Sequence, residues 1–115
     1  MQGLTTEVGL VWALSHDAVE YLPEGSNGGT VFSSLGAIGG GTTASNNSVF
    51  VTGSHSGWNN SGDLYVGYSG AGNSLTIADG GAVYNASGDI GYDTGASSNS
   101  VTVTGSNSVW NNNGD

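Results

Sequence analysis

Neither lysine nor arginine occurs in the 115 residues, while nine acidic side chains give a formal charge of −9. Polyanions are held by cationic side chains, so nucleic acid is excluded as a partner. Anionic membrane surfaces and acidic polysaccharides are excluded as direct electrostatic partners on the same ground. Divalent cations remain compatible with so acidic a chain. Cysteine is absent, which removes disulfides, thiol nucleophiles and cysteine-ligated zinc. Proline occurs once, at Pro23, against a polyproline or collagen reading. No apolar run approaches the roughly 18 residues that a spanning helix needs, so membrane insertion is not expected. The stretch VGLVWAL (8–14) is apolar, but no positive segment precedes it as in a signal peptide.

What is present is glycine, at 22 positions, amid serine, threonine and asparagine. Such a composition borders on low complexity, yet the apolar residues recur at fixed intervals, which disorder would not require. Segments 47–63, 73–89 and 99–115 align without gaps at an offset of 26, and the first and third are identical at 13 of 17 positions. Each opens on Asn-Ser (Asn47, Asn73, Asn99) and closes on Gly-Asp (62–63, 88–89, 114–115). Extending the pattern backwards gives a leader over 1–7, a degenerate first unit over 8–37 with an insertion around LPEGSN, and regular units over 38–63, 64–89 and 90–115.

Short alternating apolar patches between Gly, Ser and Asn read as strands, and no helical period is present. One such unit cannot bury its apolar face alone, whereas stacked copies form continuous interior columns. The repeat therefore predicts an all-β parallel β-solenoid of about four 26-residue rungs rising by about 4.8 Å each. A right-handed coil is expected from the crossover rule. Four columns are assigned to the core: Val8, Ile38, Leu64 and Ile90; Val19, Val49, Leu75 and Val101; Tyr21, Val51, Ile77 and Val103; and the aromatics Phe32, Trp58, Tyr84 and Trp110. Val31, Gly57, Val83 and Val109 form the alternative inward row beside the aromatics, because strand neighbours face opposite ways. Asn47, Asn73 and Asn99 are expected to form an amide ladder serving turn backbones, and Gly36, Gly62, Gly88 and Gly114 to turn corners at positive φ.

The stretches LYVGYSGAGNSLTIADGGAVY (64–84) and SNSVTVTGSNSVW (98–110) resemble the type V secretion and PEP-CTERM-associated repeat of large bacterial surface proteins. The resemblance covers about 36–115. It implies a β-helical segment, secreted or displayed at the cell surface, of the autotransporter-passenger or adhesin-stalk kind. It implies no particular chemistry.

Candidate sites are few. Asp63, Asp89 and Asp115 would form a carboxylate column, read as turn residues bonding nearby amides, as a calcium site, or as a carboxylate pair near the spacing retaining glycosidases use. The turn reading is favoured, since the glycine-aspartate nonapeptide of calcium-loaded β-rolls is missing. His16 and His55 fall at different points of their rungs and do not converge as zinc ligands would. The row Thr102-Val103-Thr104 resembles an ice-binding array, but its equivalents Thr76-Ile77-Ala78 and Phe50-Val51-Thr52 are incomplete. Facing outward, the aromatic column would be a sugar-stacking platform with surface glycans as partners. No Ser-His-Asp spacing stands out, so no catalytic or cofactor-binding residue is assigned and the expected function is non-enzymatic. The last rung shows no cap, and an open strand edge is a template for another chain. A junction is therefore expected in which Val101, Val103, Trp110, Gly114 and Asp115 of one copy meet Val8, Gly9, Leu10, Val19 and Tyr21 of the next. Such a contact repeats without closing and makes a filament.

Overall fold

The structure, a computed structural model, describes the backbone of Val11–Leu14 and Val19–Tyr21 and the whole of residues 30–114. Twelve strands follow one another: β1 (Val11–Leu14), β2 (Val19–Tyr21), β3 (Thr30–Ser33), β4 (Gly36–Ile38), β5 (Ser48–Thr52), β6 (Gly57–Asn60), β7 (Leu64–Val66), β8 (Ser74–Ala78), β9 (Ala82–Asn85), β10 (Gly88–Ile90), β11 (Ser100–Thr104) and β12 (Val109–Asn112). Every third strand pairs in parallel, so three four-stranded sheets wrap one core: β1-β4-β7-β10, β2-β5-β8-β11 and β3-β6-β9-β12. This is a β-solenoid, and one circuit of the three sheets carries Ser48 to Ser74 and Ser74 to Ser100. Among the described residues there is no helix, and so none long and apolar enough to cross a membrane.

The second sheet keeps the repeat strictly. Ser48, Ser74 and Ser100 pair in register, as do Val49, Leu75 and Val101, and Val51, Ile77 and Val103. Val49, Leu75, Val51 and Ile77 fill the core, while the alternating Phe50, Thr76 and Thr52 face outward. The β2 strand enters one residue out of step with the expected columns, with Val19 beside Ser48 and Tyr21 beside Phe50.

The other two sheets depart from the expected columns. In the third sheet Trp58 pairs with Val31 on one side and Val83 on the other, and Trp110 pairs with Val83. Trp58 is 2% exposed, whereas Phe32 is 50% and Tyr84 40% exposed. The aromatic column assigned to the core is therefore split: Trp58 and Trp110 point in, Phe32 and Tyr84 point out. For Tyr84 the cause is turn length. Four residues (53–56) join β5 to β6, but three (79–81) join β8 to β9, and one residue fewer flips every following side chain to the other face. In the first sheet Ile38 pairs with Val66 rather than Leu64, and Ile90 also pairs with Val66. Leu64 instead stands between Gly36 and Gly88. Leu14, not Val8, lies opposite Ile38; Val8 itself is outside the described residues.

The three loops of the turn beginning at β5 hold four, three and seven residues, and those of the turn beginning at β8 hold three, two and nine. Both sets total fourteen, so the sequence period survives while its partition alternates. Successive rungs are thus of two kinds, and the structural period is two turns of the coil rather than one.

The two kinds of rung conserve interior volume. Where the third sheet supplies Trp58 or Trp110, the first supplies Gly36 or Gly88. Where the third supplies Val83, the first supplies Leu64. A Cβ at Gly36 would lie 2.7 Å from Trp58 Cζ2, and one at Gly88 2.5 Å from Trp110 Cζ2. These glycines are required by close packing. Neither they nor Gly62 and Gly114 take the positive φ expected of them, and Gly62 and Gly114 instead abut the backbone of Ser34 and Ala86. Eight other described glycines take positive φ, among them Gly39, Gly67 and Gly91 after the strands of the first sheet, with φ of 76, 83 and 77°.

Candidate functional site

Two polar rows run through the stack. In the first, Asn47 donates from its backbone N–H (2.8 Å) and its Nδ2 (3.0 Å) to Asn73 Oδ1, and the backbone N–H of Asn73 donates to Asn99 Oδ1 at 2.7 Å. Asn73 Nδ2 donates to the carbonyl of Ala44 at 3.2 Å, and Asn99 Nδ2 to that of Gly70 at 3.1 Å. Asn47 and Asn73 are fully buried. This is the ladder the sequence implies, with the amides of Asn73 and Asn99 each serving the asparagine of the rung before and a loop carbonyl.

The second row was not legible as a row at an offset of 26. Ser33 Oγ donates to Asn60 Oδ1, and Asn85 Nδ2 donates to Asn112 Oδ1. Trp58 Nε1 donates to Ser33 Oγ at 3.1 Å, and Trp110 Nε1 to Asn85 Oδ1 at 2.7 Å. Each indole is tied to the rung before it. Asn60 Nδ2 is buried without a partner.

The residues expected at a junction fall at the two ends of the stack or outside the described residues. β1, β2 and β3 are the edges of the three sheets at one end, and β10, β11 and β12 at the other. Val19 and Tyr21 lie on the first edge, Val101, Val103 and Trp110 on the second. Gly114 follows β12; Val8, Gly9, Leu10 and Asp115 are outside the described residues. Ile90 and Val103 are 46% and 45% exposed, although their partners Val66 and Ile77 are completely buried. The last rung therefore presents core columns with no described residue laid over them.

Elsewhere the expected sites separate. Asp89 pairs with Tyr65, two residues past Asp63, so Asp63 and Asp89 do not stack, and Asp115 is outside the described residues. No group of three or more metal-binding side chains occurs among the described residues. The outward threonine rows are interrupted by Phe50 and Ala78. His55 sits exposed in the 53–56 turn, while His16 is outside the described residues.

One cluster was missed. Tyr65 packs edge-on to Tyr68 (centroids 4.8 Å) and Tyr92 (5.2 Å), and those two rings stack at 4.7 Å. Partial burial, then the Asp63 and Asp89 carboxylates, then Tyr92 and Tyr68, raise the Tyr65 pKa above the usual 10.0. The three tyrosines occupy non-equivalent places in the repeat, so column reading does not find them.

No protein-family model matches the chain, and comparison with curated proteins and with solved structures gives no match.

Proposed function

We propose that the chain is a non-enzymatic structural subunit, secreted or displayed at the cell surface, whose solenoid is continued head to tail by further copies into a filament. The observation that carries this reading is the open rung at β10–β12, where Ile90 and Val103 lie exposed in columns that are fully buried one rung below. Unpaired parallel edges with apolar residues behind them favour the addition of another strand layer. The rung types support a second copy as that layer. The open rung is of the tryptophan kind (Trp110), and the rung containing β3 is of the valine kind (Val31), so stacking copies preserves the alternation. The surface location rests on the repeat resemblance, and the absence of cations leaves hydrogen-bonded edges and apolar columns to hold such a fibre.

Electron microscopy of the purified chain over a concentration series tests this. Thin filaments with an axial repeat of about 20 Å are expected, from four rungs of about 4.8 Å. Val103→Asp should abolish them by burying a carboxylate at the junction. Compact particles at every concentration overturn the proposal and favour a segment of a longer passenger, whose own chain supplies the covering rung.

A further inference from the structure

The residues that turned outward create a surface that the inward assignment would have erased. On the outer face of the third sheet, Phe32, Asn59, Tyr84 and Asn111 lie side by side in one row. The parallel outer row is Thr30, Gly57, Ala82 and Val109, small in its middle two positions. Turn residues Ser54, His55 and Asn107 line the same depression, which has a volume of about 550 Å³. Gly57 and Ala82 make its floor, and the half-exposed Phe32 and Tyr84 rings stand along it.

We propose that this groove binds an extended, neutral, β-linked oligosaccharide, with Phe32 and Tyr84 stacking against sugar rings and Asn59 bonding hydroxyls between them. Three features select this ligand. First, among the described residues no carboxylate lines the groove, although the chain carries nine, and the sequence has no lysine or arginine to hold an acidic sugar. Second, the wall is aromatic while its polar groups are amides, hydroxyls and the His55 imidazole, the mixture that fits a sugar's apolar faces and equatorial hydroxyls. Third, the two rings lie two rungs apart, about 10 Å at the strand spacing. That is about the length of a disaccharide unit in an extended β-linked chain, in which alternate sugars present the same face. The groove runs across the strands along the stack, so it suits a linear chain. Sugar binding does not depend on filament formation, since every residue of the groove lies within β3–β12 and the turns between them.

The test is titration calorimetry of the purified chain with cellohexaose, β-1,4-mannohexaose and chitohexaose, with polygalacturonate as the acidic comparison. At least one neutral hexasaccharide should bind saturably, more tightly than its disaccharide. Phe32→Ala and Tyr84→Ala should each weaken binding by about tenfold, with the thermal midpoint unchanged because both rings are half exposed. Gly57→Leu offers an independent check: a Cβ there meets nothing closer than 3.6 Å, so the side chain fills the groove without disturbing the fold. It too should remove binding. No binding of any of the three neutral chains overturns the proposal, as does stronger binding of polygalacturonate, or affinity unaltered by all three substitutions. Self-association lost on Phe32→Ala, without sugar binding, would assign the face to lateral contact between copies and overturn it likewise.

Discussion

The two polar rows solve one problem in different ways. The row Asn47, Asn73, Asn99 repeats the same residue every 26 positions, and the amides of Asn73 and Asn99 each bond the rung before and a loop carbonyl. The row Ser33, Asn60, Asn85, Asn112 is spaced unevenly, mixes serine with asparagine, and relies on indole N–H groups from alternate rungs. The first lies beside the sheet that holds its register from β5 to β11. The second lies in the sheet where turn length shifts the register by one residue back and forth. A ladder of identical amides demands identical geometry at each rung, so it pins the coil. A row whose members vary tolerates the two kinds of rung that pack around it.

Breaking the pinned row should cost most. Asn73→Ala leaves the buried Asn47 N–H and the Ala44 carbonyl unserved, each worth about 1–3 kcal/mol, so a loss of about 3 kcal/mol in urea unfolding is expected. A loss under about 1 kcal/mol would mean the ladder merely decorates the corner. Next comes the volume exchange beside the uneven row. Gly36→Leu should cost about 2 kcal/mol by overpacking against Trp58 and Leu64. Adding Trp58→Val removes the Trp58 part of that clash, and a double-mutant cycle should show favourable coupling of at least about 1 kcal/mol. Strict additivity would refute the two-rung account. The smallest effect should come from Asn85→Ser, which copies Ser33 into the equivalent position two rungs on. Its cost should stay below about 1 kcal/mol, measured in the same unfolding series.

Much of this fold could be read from the chain. Asn-Ser and the paired aliphatic residues (Val49 and Val51, Leu75 and Ile77, Val101 and Val103) recur at 26 because β5, β8 and β11 and the corner before them hold that spacing without exception, so fold class, period and ladder all followed. The facing of the aromatics did not follow. An ungapped alignment sets Trp58 over Tyr84, and it conceals a turn that is one residue shorter and a later loop that is two residues longer. A signal was nonetheless present. Segments 47–63 and 99–115 agree at 13 of 17 positions, but 47–63 and 73–89 at only 6. The closer kinship of alternate copies is what a two-turn structural period requires. Tyr65, Tyr68 and Tyr92 escaped for another reason: their cluster joins a strand to two loops, and no column passes through it. The groove was legible only conditionally, because its aromatics had first to be placed on the outer face.

The exchange of Trp-Gly for Val-Leu on alternate rungs also bears on how such a chain is inherited. Repeat arrays lengthen and shorten by recombination between similar copies. Loss of the copy carrying Val83 would set Trp110 over Trp58 and remove Asn85, which receives the Trp110 N–H. Gain or loss of two adjacent copies together leaves every interior contact as it was. The heritable module is therefore a matched couple of turns, and descendants of this sequence that still fold should differ in length by whole couples.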